Sequence, residues 1–390
     1  MSSGRIPTLD GVRAISIGLV LAAHAIGTGA IPMHKRAAHL FGDVGVRTFF
    51  VLSGFLITTL LIREHAKHGS ISLKNFYVRR VLRIFPAFYL YLAVAAVLAA
   101  LGWVALGSGD MLAAATYTMN FHVDREWTTG HLWSLAVEEQ FYLVWPFVVV
   151  ALGFGRSWGF AIGAFALAPV VRLAIWYGAP DHRALVDQAF PCVFDALATG
   201  CLLALARDRL VTTLWFRRIL DAWWFWWIPG LFIGSLIVTR PWIQYGVSMT
   251  LANVGIAIVM LRCVTRPETM IGRILETPAL AWIGTLSYSL YLWQQLFVNR
   301  HADGFIHAFP LNIACAFAAA IACHYIVERP ILKLSSRFRD RAATTVRVVE
   351  VPGVLSDERV LEVRPRAKRE PKASLPMSPL TADVRSARKS

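Results

Sequence analysis

Arg13 and His24 stand eleven positions apart in LDGVRAISIGLVLAAH, close to three full helical turns. On a helix both project from one face, with about 16 Å between their levels. An imidazole at one end of such a face can accept a proton, and a guanidinium at the other can hold an anion. His131, Ser134, Glu138 and Tyr142 follow spacings of three and four, so a second helix carries a polar stripe. Its carboxylate could orient an imidazole and stabilise the imidazolium formed when that ring acts as a general base. Glu139 points about 100° away and suits a contact with another helix. Arg47, Asp195 and Gln294 add one polar group to each of three further apolar stretches.

The elements that must position these groups are membrane helices. Hydrophobic residues make up 56% of 390 positions and charged ones 16%, more apolar surface than a soluble core of this size needs. Apolar stretches long enough to span recur at 9–30, 43–62, 86–106, 134–154, 157–177, 190–206, 223–239, 242–261, 280–299 and 309–331. These predict an all-α integral membrane protein of about ten transmembrane helices. Counting about 1.5 Å per residue puts His24 some 8 Å below the outer edge of the hydrocarbon. Glu138, Glu139, Arg47, Asp195 and Gln294 fall at similar depth. Each alone reads as a helix–helix contact; together they predict a polar cavity in the outer leaflet.

Lys67, Lys74, Arg79, Arg80, Arg207, Arg209, Arg217 and Arg218 crowd alternate loops, so the positive-inside rule predicts cytoplasmic N- and C-termini. That distribution explains the net charge of +15 without nucleic acid. Trp223, Trp224, Trp226 and Trp227 suit an interfacial anchor, and 73–83 suits a short helix lying along the inner surface. No cleavable signal peptide is expected. The division is a membrane domain, 1–335, and a basic, disordered cytoplasmic tail, 336–390, held by anionic lipid. The five cysteines lack zinc spacing, so neither a metal site nor disulfides are expected.

The motifs resemble the membrane-bound acyltransferase 3 family, bacterial O-acyltransferases of exported saccharides. The resemblance covers about residues 6–335 and runs in order through LDGVRAISIGLVLAAH, GVRTFFVLSGFLIT, RRVLRIFPAFYLY and HLWSLAVEEQFYLVWP. Weaker echoes are FDALATGCLLAL, GTLSYSLYLWQQ and VERP. It implies transfer of an acyl group, typically acetyl, from cytoplasmic acyl-CoA to a hydroxyl of an exported or lipid-linked saccharide, in a multi-pass protein of the bacterial inner membrane. Acyl-CoA would be a substrate, with no permanently bound cofactor. His24 would be the essential histidine, Arg13 its motif partner, and Arg80 with Arg83 the donor-side pair, Arg79 being an extra neighbour. Two departures stand out. Many relatives carry a carboxylate where Arg47 stands and a histidine where this chain has Gln294.

In this scheme His24 removes the hydroxyl proton, Glu138 orients it, and Arg47 steadies the oxyanion. The nucleotide phosphates stay at the arginines while the thin pantetheine arm reaches inward. Ser53, Ser134, Cys192 and Cys201 are alternative nucleophiles, none beside a base in sequence. A transporter or flippase for an exported glycan, without acyl chemistry, is the rival reading. A third is an interaction protein whose basic tail recruits a synthesis complex.

Overall fold

The computed structural model describes residues 6–28 and 31–333. The tail expected from 336 onward lies outside the described residues. Fourteen α-helical segments occur among the described residues, and no strand. They are α1 (Pro7–Ala25), α2 (Lys35–His68), α3 (Leu73–Ala100), α4 (Asp110–Ala115), α5 (Trp127–Gly130), α6 (Leu132–Gly178) and α7 (Phe190–Thr212). Then follow α8 (Leu214–Asp221), α9 (Trp227–Gly234), the single turn α10 (Pro241–Ile243), α11 (Met249–Thr265), α12 (Met270–Leu275), α13 (Pro278–Phe297) and α14 (Leu311–Cys323). By length and composition, seven helical stretches among the described residues can cross a membrane. These are Pro7–Ala25, Lys35–His68, Leu73–Ala100, Trp127–Gly178, Pro180–Thr212, Pro241–Thr265 and Leu311–Lys333.

Two expectations change. The segment 73–83 is not a separate surface helix but the first third of α3. Ser72 caps it by accepting from the Asn75 amide at 3.3 Å, Phe76 is buried, and the Tyr77 hydroxyl donates to the Leu143 carbonyl of α6 at 2.9 Å. These tertiary contacts hold it against the bundle, and the helix continues past Pro86. In the stretch 223–239, only α9 and a turn of 3₁₀ helix at Ser235–Ile237 form. Pro229, Gly230 and Gly234 weaken helix propagation there, and eight residues rise only about 12 Å. The 47 residues of α6 contain two helical lengths, divided at Gly153, whose φ of 71° lies in the left-handed region.

Apolar clusters fill the bundle, one around α2, α6 and α7 and another around α1, α3 and α13. Small residues let the axes approach closely. A Cβ on Gly54 of α2 would stand 2.0 Å from the Leu197 carbonyl of α7, and one on Gly200 of α7 would stand 2.0 Å from the Val51 carbonyl of α2. The obstacles are backbone atoms on both sides, so no rotamer change relieves them. Gly200→Leu should therefore leave little folded protein, well beyond the 1–3 kcal/mol of ordinary overpacking at about one added methylene. A monodisperse size-exclusion peak of normal height from that variant would contradict this packing argument.

Candidate active site

His24 lies one residue before the end of α1, half-buried at the wall of a cavity of about 490 Å³. Arg125, Glu126, Trp127, His131, Trp133, Gln295 and His301 also line this cavity. The imidazole is fixed from α13. Its Nδ1–H donates to Gln294 Oε1 at 2.8 Å, and its Nε2 accepts from Gln295 Nε2 at 3.3 Å. The Trp127 ring meets it edge-on at 5.4 Å between centroids. Arg300 closes the end of α1, donating to the carbonyls of Ala23 at 2.7 Å and His24 at 3.3 Å, with its guanidinium over Trp127. A cation on the last carbonyls of a helix suits both the unpaired oxygens and the dipole. A ring with one nitrogen committed to a buried amide and the other beside an open cavity can take a proton from a bound hydroxyl.

The cavity loop is organised by Asp110, wholly buried at the start of α4. Its carboxylate accepts from the backbone amides of Gly107 at 2.8 Å and Glu126 at 3.1 Å, the Thr129 hydroxyl at 2.9 Å and His122 Nε2 at 3.0 Å. One acidic side chain thereby sets the turn presenting Arg125, Glu126 and Trp127. Arg125 in turn donates to the carbonyls of Met119 and His122 and to Gln188. Burial holds its guanidinium below the ordinary arginine range. Nothing in the spacing of the apolar stretches pointed to Asp110, because it sits in a connection; Gly107, Gly109 and Asp110 at a helix start were the only signal.

Glu138 does not orient His24. Its carboxylate accepts from Ser53 Oγ at 2.8 Å and from the Tyr142 hydroxyl at 3.4 Å, and Ser53 and Tyr142 are themselves 3.1 Å apart. Ser53, distant in sequence from any base, thus stands directly beside one. Arg80 lies over the Tyr142 ring at 5.2 Å and over Phe76 at 5.5 Å. Arg13, bonded to Asp10 at 3.1 Å, interacts electrostatically with Arg83, Arg80 and Tyr142, and Glu139 with Arg80 and Glu138. Arg79 is tied to Glu64 at 2.8 Å. Seven residues separate His131 from Glu138 along α6, about 10 Å. Between the two polar groups, Ser134 and the Tyr291 hydroxyl bond one another, and Tyr291 donates to the His131 carbonyl at 2.9 Å.

Arg47 and Asp195 belong to neither group. Arg47 donates to Asn253 at 3.4 Å, so it is not placed to steady an oxyanion beside His24. Asp195 is buried in a salt bridge of 3.0 Å with Arg172, and accepts from Thr250 at 2.6 Å. Shared height was not shared azimuth. Of the groups expected at one depth with His24, the structure brings Gln294 to it; sequence reading gave no place to Gln295, which the QQ pair in an apolar run could have flagged. Among the described residues no cluster of His, Cys, Asp or Glu is set to hold a metal ion, and Cys192, Cys201, Cys263, Cys315 and Cys323 are all free.

The family model described as an acyltransferase domain matches residues 6–329. The chain is 28% identical over 365 residues to the peptidoglycan O-acetyltransferase OatA of Listeria monocytogenes, covering 84% of this chain and 56% of that protein. It is 30% identical over 320 residues to the putative peptidoglycan O-acetyltransferase YrhL of Bacillus subtilis, covering 74% of this chain and 48% of that one. A putative O-acetyltransferase of Staphylococcus aureus is 29% identical over 366 residues, 84% of this chain and 57% of its own length. The chain thus spans about half the length of these relatives. No solved structure matches it. With the family model covering the helical bundle from α1 to Arg329, the chain belongs to the acyltransferase 3 family.

Proposed function

We propose that this protein is a membrane O-acyltransferase that moves an acetyl group from acetyl-CoA to a hydroxyl of an exported or cell-surface saccharide. The observation that carries the reading is His24, held through Nδ1 by buried Gln294, with Nε2 beside an open cavity walled by Trp127, Trp133, Arg125 and Glu126. Aromatic faces with charged edges suit a sugar ring, whose C–H faces stack while its hydroxyls are bonded. The relatives' names make peptidoglycan the first saccharide to test.

In this scheme the acceptor hydroxyl gives its proton to His24 Nε2 as its oxygen attacks the thioester carbon. The tetrahedral intermediate collapses, the C–S bond breaks, and the CoA thiolate is protonated. The nucleotide end rests near Arg80, Arg83 and Arg13, about 16 Å along α1 from His24, and the pantetheine arm bridges the interval. The chain crosses the inner membrane ten times in this reading, α6 counting twice and α13 and the stretch around α9 once each beside the other six stretches. Both termini are then cytoplasmic by the positive-inside rule.

The test is thiol release from acetyl-CoA by the purified protein, with a soluble peptidoglycan fragment as acceptor and mass spectrometry of the product. An acetyl mass on the acceptor is expected; binding of the fragment with no thiol release would favour a glycan carrier instead. Arg80→Ala and Arg83→Ala should each weaken acetyl-CoA binding about tenfold, the loss of one or two charge-assisted hydrogen bonds. Arg79→Ala should change it less, because Glu64 already engages that guanidinium. Unchanged donor affinity in both of the first two variants would assign those arginines to topology alone.

A further inference from the structure

An apolar groove of about 900 Å³ runs along α9, lined by Trp226, Trp227, Gly230, Gly234 and Val238 and by Leu251 of α11. That volume lies in the range of roughly 300–1,000 Å³ that ligand pockets occupy. Its glycines make the groove. A Cβ on Gly230 or Gly234 would meet nothing within 4 Å, whereas one on Gly255 of α11 would stand 3.0 Å from the Phe232 side chain. So α9 leans on α11 at Phe232 and leaves the two glycines open. Ser235, the only hydroxyl in the lining, is turned onto the Phe232 carbonyl at 2.6 Å. What remains suits a hydrocarbon chain.

The mouth of the groove is cationic. Arg262, in the last turn of α11, lays its guanidinium 4.6 Å from the centre of the Phe225 ring and 5.4 Å from that of Trp226, which also lines the groove. Its Nη1 is buried and has no hydrogen-bond partner in the chain. Asp221 does not neutralise it, because Arg266 already holds that carboxylate by two bonds of 2.8 Å and Arg217 interacts with it as well. Three arginines thus share one carboxylate, and positive charge is left over. Nearby α8 exposes Leu214 and Trp215 beside Arg217 and Arg218, the make-up of a helix lying at headgroup level. Leu251 stands eleven residues before Arg262, so the slot runs about 16 Å from that level into the hydrocarbon.

We propose that this groove is a binding site for one anionic phospholipid, its phosphate on Arg262 and one acyl chain lying along Gly230 and Gly234 toward Leu251. A cation at headgroup depth with an apolar slot leading inward matches the two ends of that molecule. A guanidinium on a phosphate makes charge-assisted bonds, and the flanking aromatic rings shield them from water. A second copy packed face to face here sets arginines against arginines, and the segment after 335 carries more basic than acidic residues, so neither complements the mouth. The groove shares no residue with the cavity at His24, and its test needs no acyl transfer.

The experiment is native mass spectrometry of the full-length protein purified in mild detergent, with phosphatidylglycerol and phosphatidylcholine of identical acyl chains added in turn. One phosphatidylglycerol per chain should be retained, at least about tenfold more tightly than phosphatidylcholine. Arg262→Ala should lower phosphatidylglycerol affinity about tenfold, the loss of one charge-assisted contact. Gly230→Leu puts a side chain into open space, so it should fold and lower the affinity as much by filling the slot. Arg209→Ala, which removes a cation that does not line the groove, should leave it unchanged.

Equal retention of the two lipids would overturn the proposal and reduce the groove to ordinary bilayer contact. Unchanged phosphatidylglycerol retention in either Arg262→Ala or Gly230→Leu would overturn it as well. A wild-type dimer without bound lipid that Gly230→Leu dissociates would give the groove to a second copy instead. If Arg262→Ala does not fold, Arg262→Gln, which keeps a stem over the rings without the charge, decides the same point.

Discussion

His24→Ala should abolish acyl transfer, a loss of roughly 10²–10⁴-fold or more, while the protein remains in the membrane at normal level. The ring is half-buried at a cavity wall and not in an apolar cluster, so its removal leaves no large void. What it leaves is an unsatisfied Gln294 oxygen, a cost of about 1–3 kcal/mol that a bundle of this size tolerates. His24→Gln separates the two contributions. An amide can still bond Gln294 but cannot take a proton, so stability should recover and activity should not. Membrane-fraction abundance and thermal unfolding in detergent report the first, and product mass spectrometry the second. Normal acylation in either variant would take His24 out of the mechanism.

Arg172→Met should lower stability by about 3–5 kcal/mol, because it leaves the Asp195 carboxylate buried without its counter-ion. The guanidinium is wholly buried and joins four elements. It donates to the Tyr245 carbonyl at 2.7 Å, to the Cys192 carbonyl at 2.7 Å, to Asp195 at 3.0 Å and to Thr250 at 2.7 Å. The second half of α6, the start of α7, the π turn at Gln244–Ser248 and α11 therefore meet at one side chain. Replacing both charges, as in Arg172→Met with Asp195→Leu, should return much of the loss, since a buried ion pair is worth little more than an apolar pair of similar volume. Thermal unfolding of purified protein checks both. If Arg172→Met unfolds at the wild-type temperature but loses acyl transfer, Asp195 belongs with the reaction and not with the packing.

Arg172 also marks what the sequence hid. A charge inside a span is as costly as Arg47 or Asp195, and Arg172, five residues from the outer end of the stretch 157–177, falls about 8 Å below the outer edge with the others; it was passed over because it carries no motif. Helix content, the paired lengths of α6 and the height of His24 beside Gln294 were all legible, because hydrophobic length and a rise of about 1.5 Å per residue determine them. Azimuth was not. Helical spacing says which residues share a face but not which helix that face meets, so Glu138 was matched to His24 when its partners are Ser53 and Tyr142. Those partnerships depend on how α1, α2, α6 and α13 pack, and small residues such as Gly45 of α2 and Gly284 of α13 set the approach of two of these helices to α1. The stretch around α9 failed for a different reason. Apolar content met the length rule for a span, but proline and glycine limited the helix that could form.

The Ser134–Tyr291 step between the two polar groups bears on how a cell can keep such a protein in an energised membrane. A passage wide enough for a thioester arm, wet from both ends, would be a shunt through which protons run down their gradient. Here the two hydroxyls are engaged with each other and with the His131 carbonyl, both are buried, and the rings of Trp133 and Phe50 pack edge to face nearby. In the proposed scheme the pantetheine arm can replace the bonds of a pair of hydroxyls with those of its own amides, whereas a file of water must break their bonds to pass. Under the proposed transfer scheme, such a seal would let the bundle pass a neutral group lengthwise while the membrane holds its voltage.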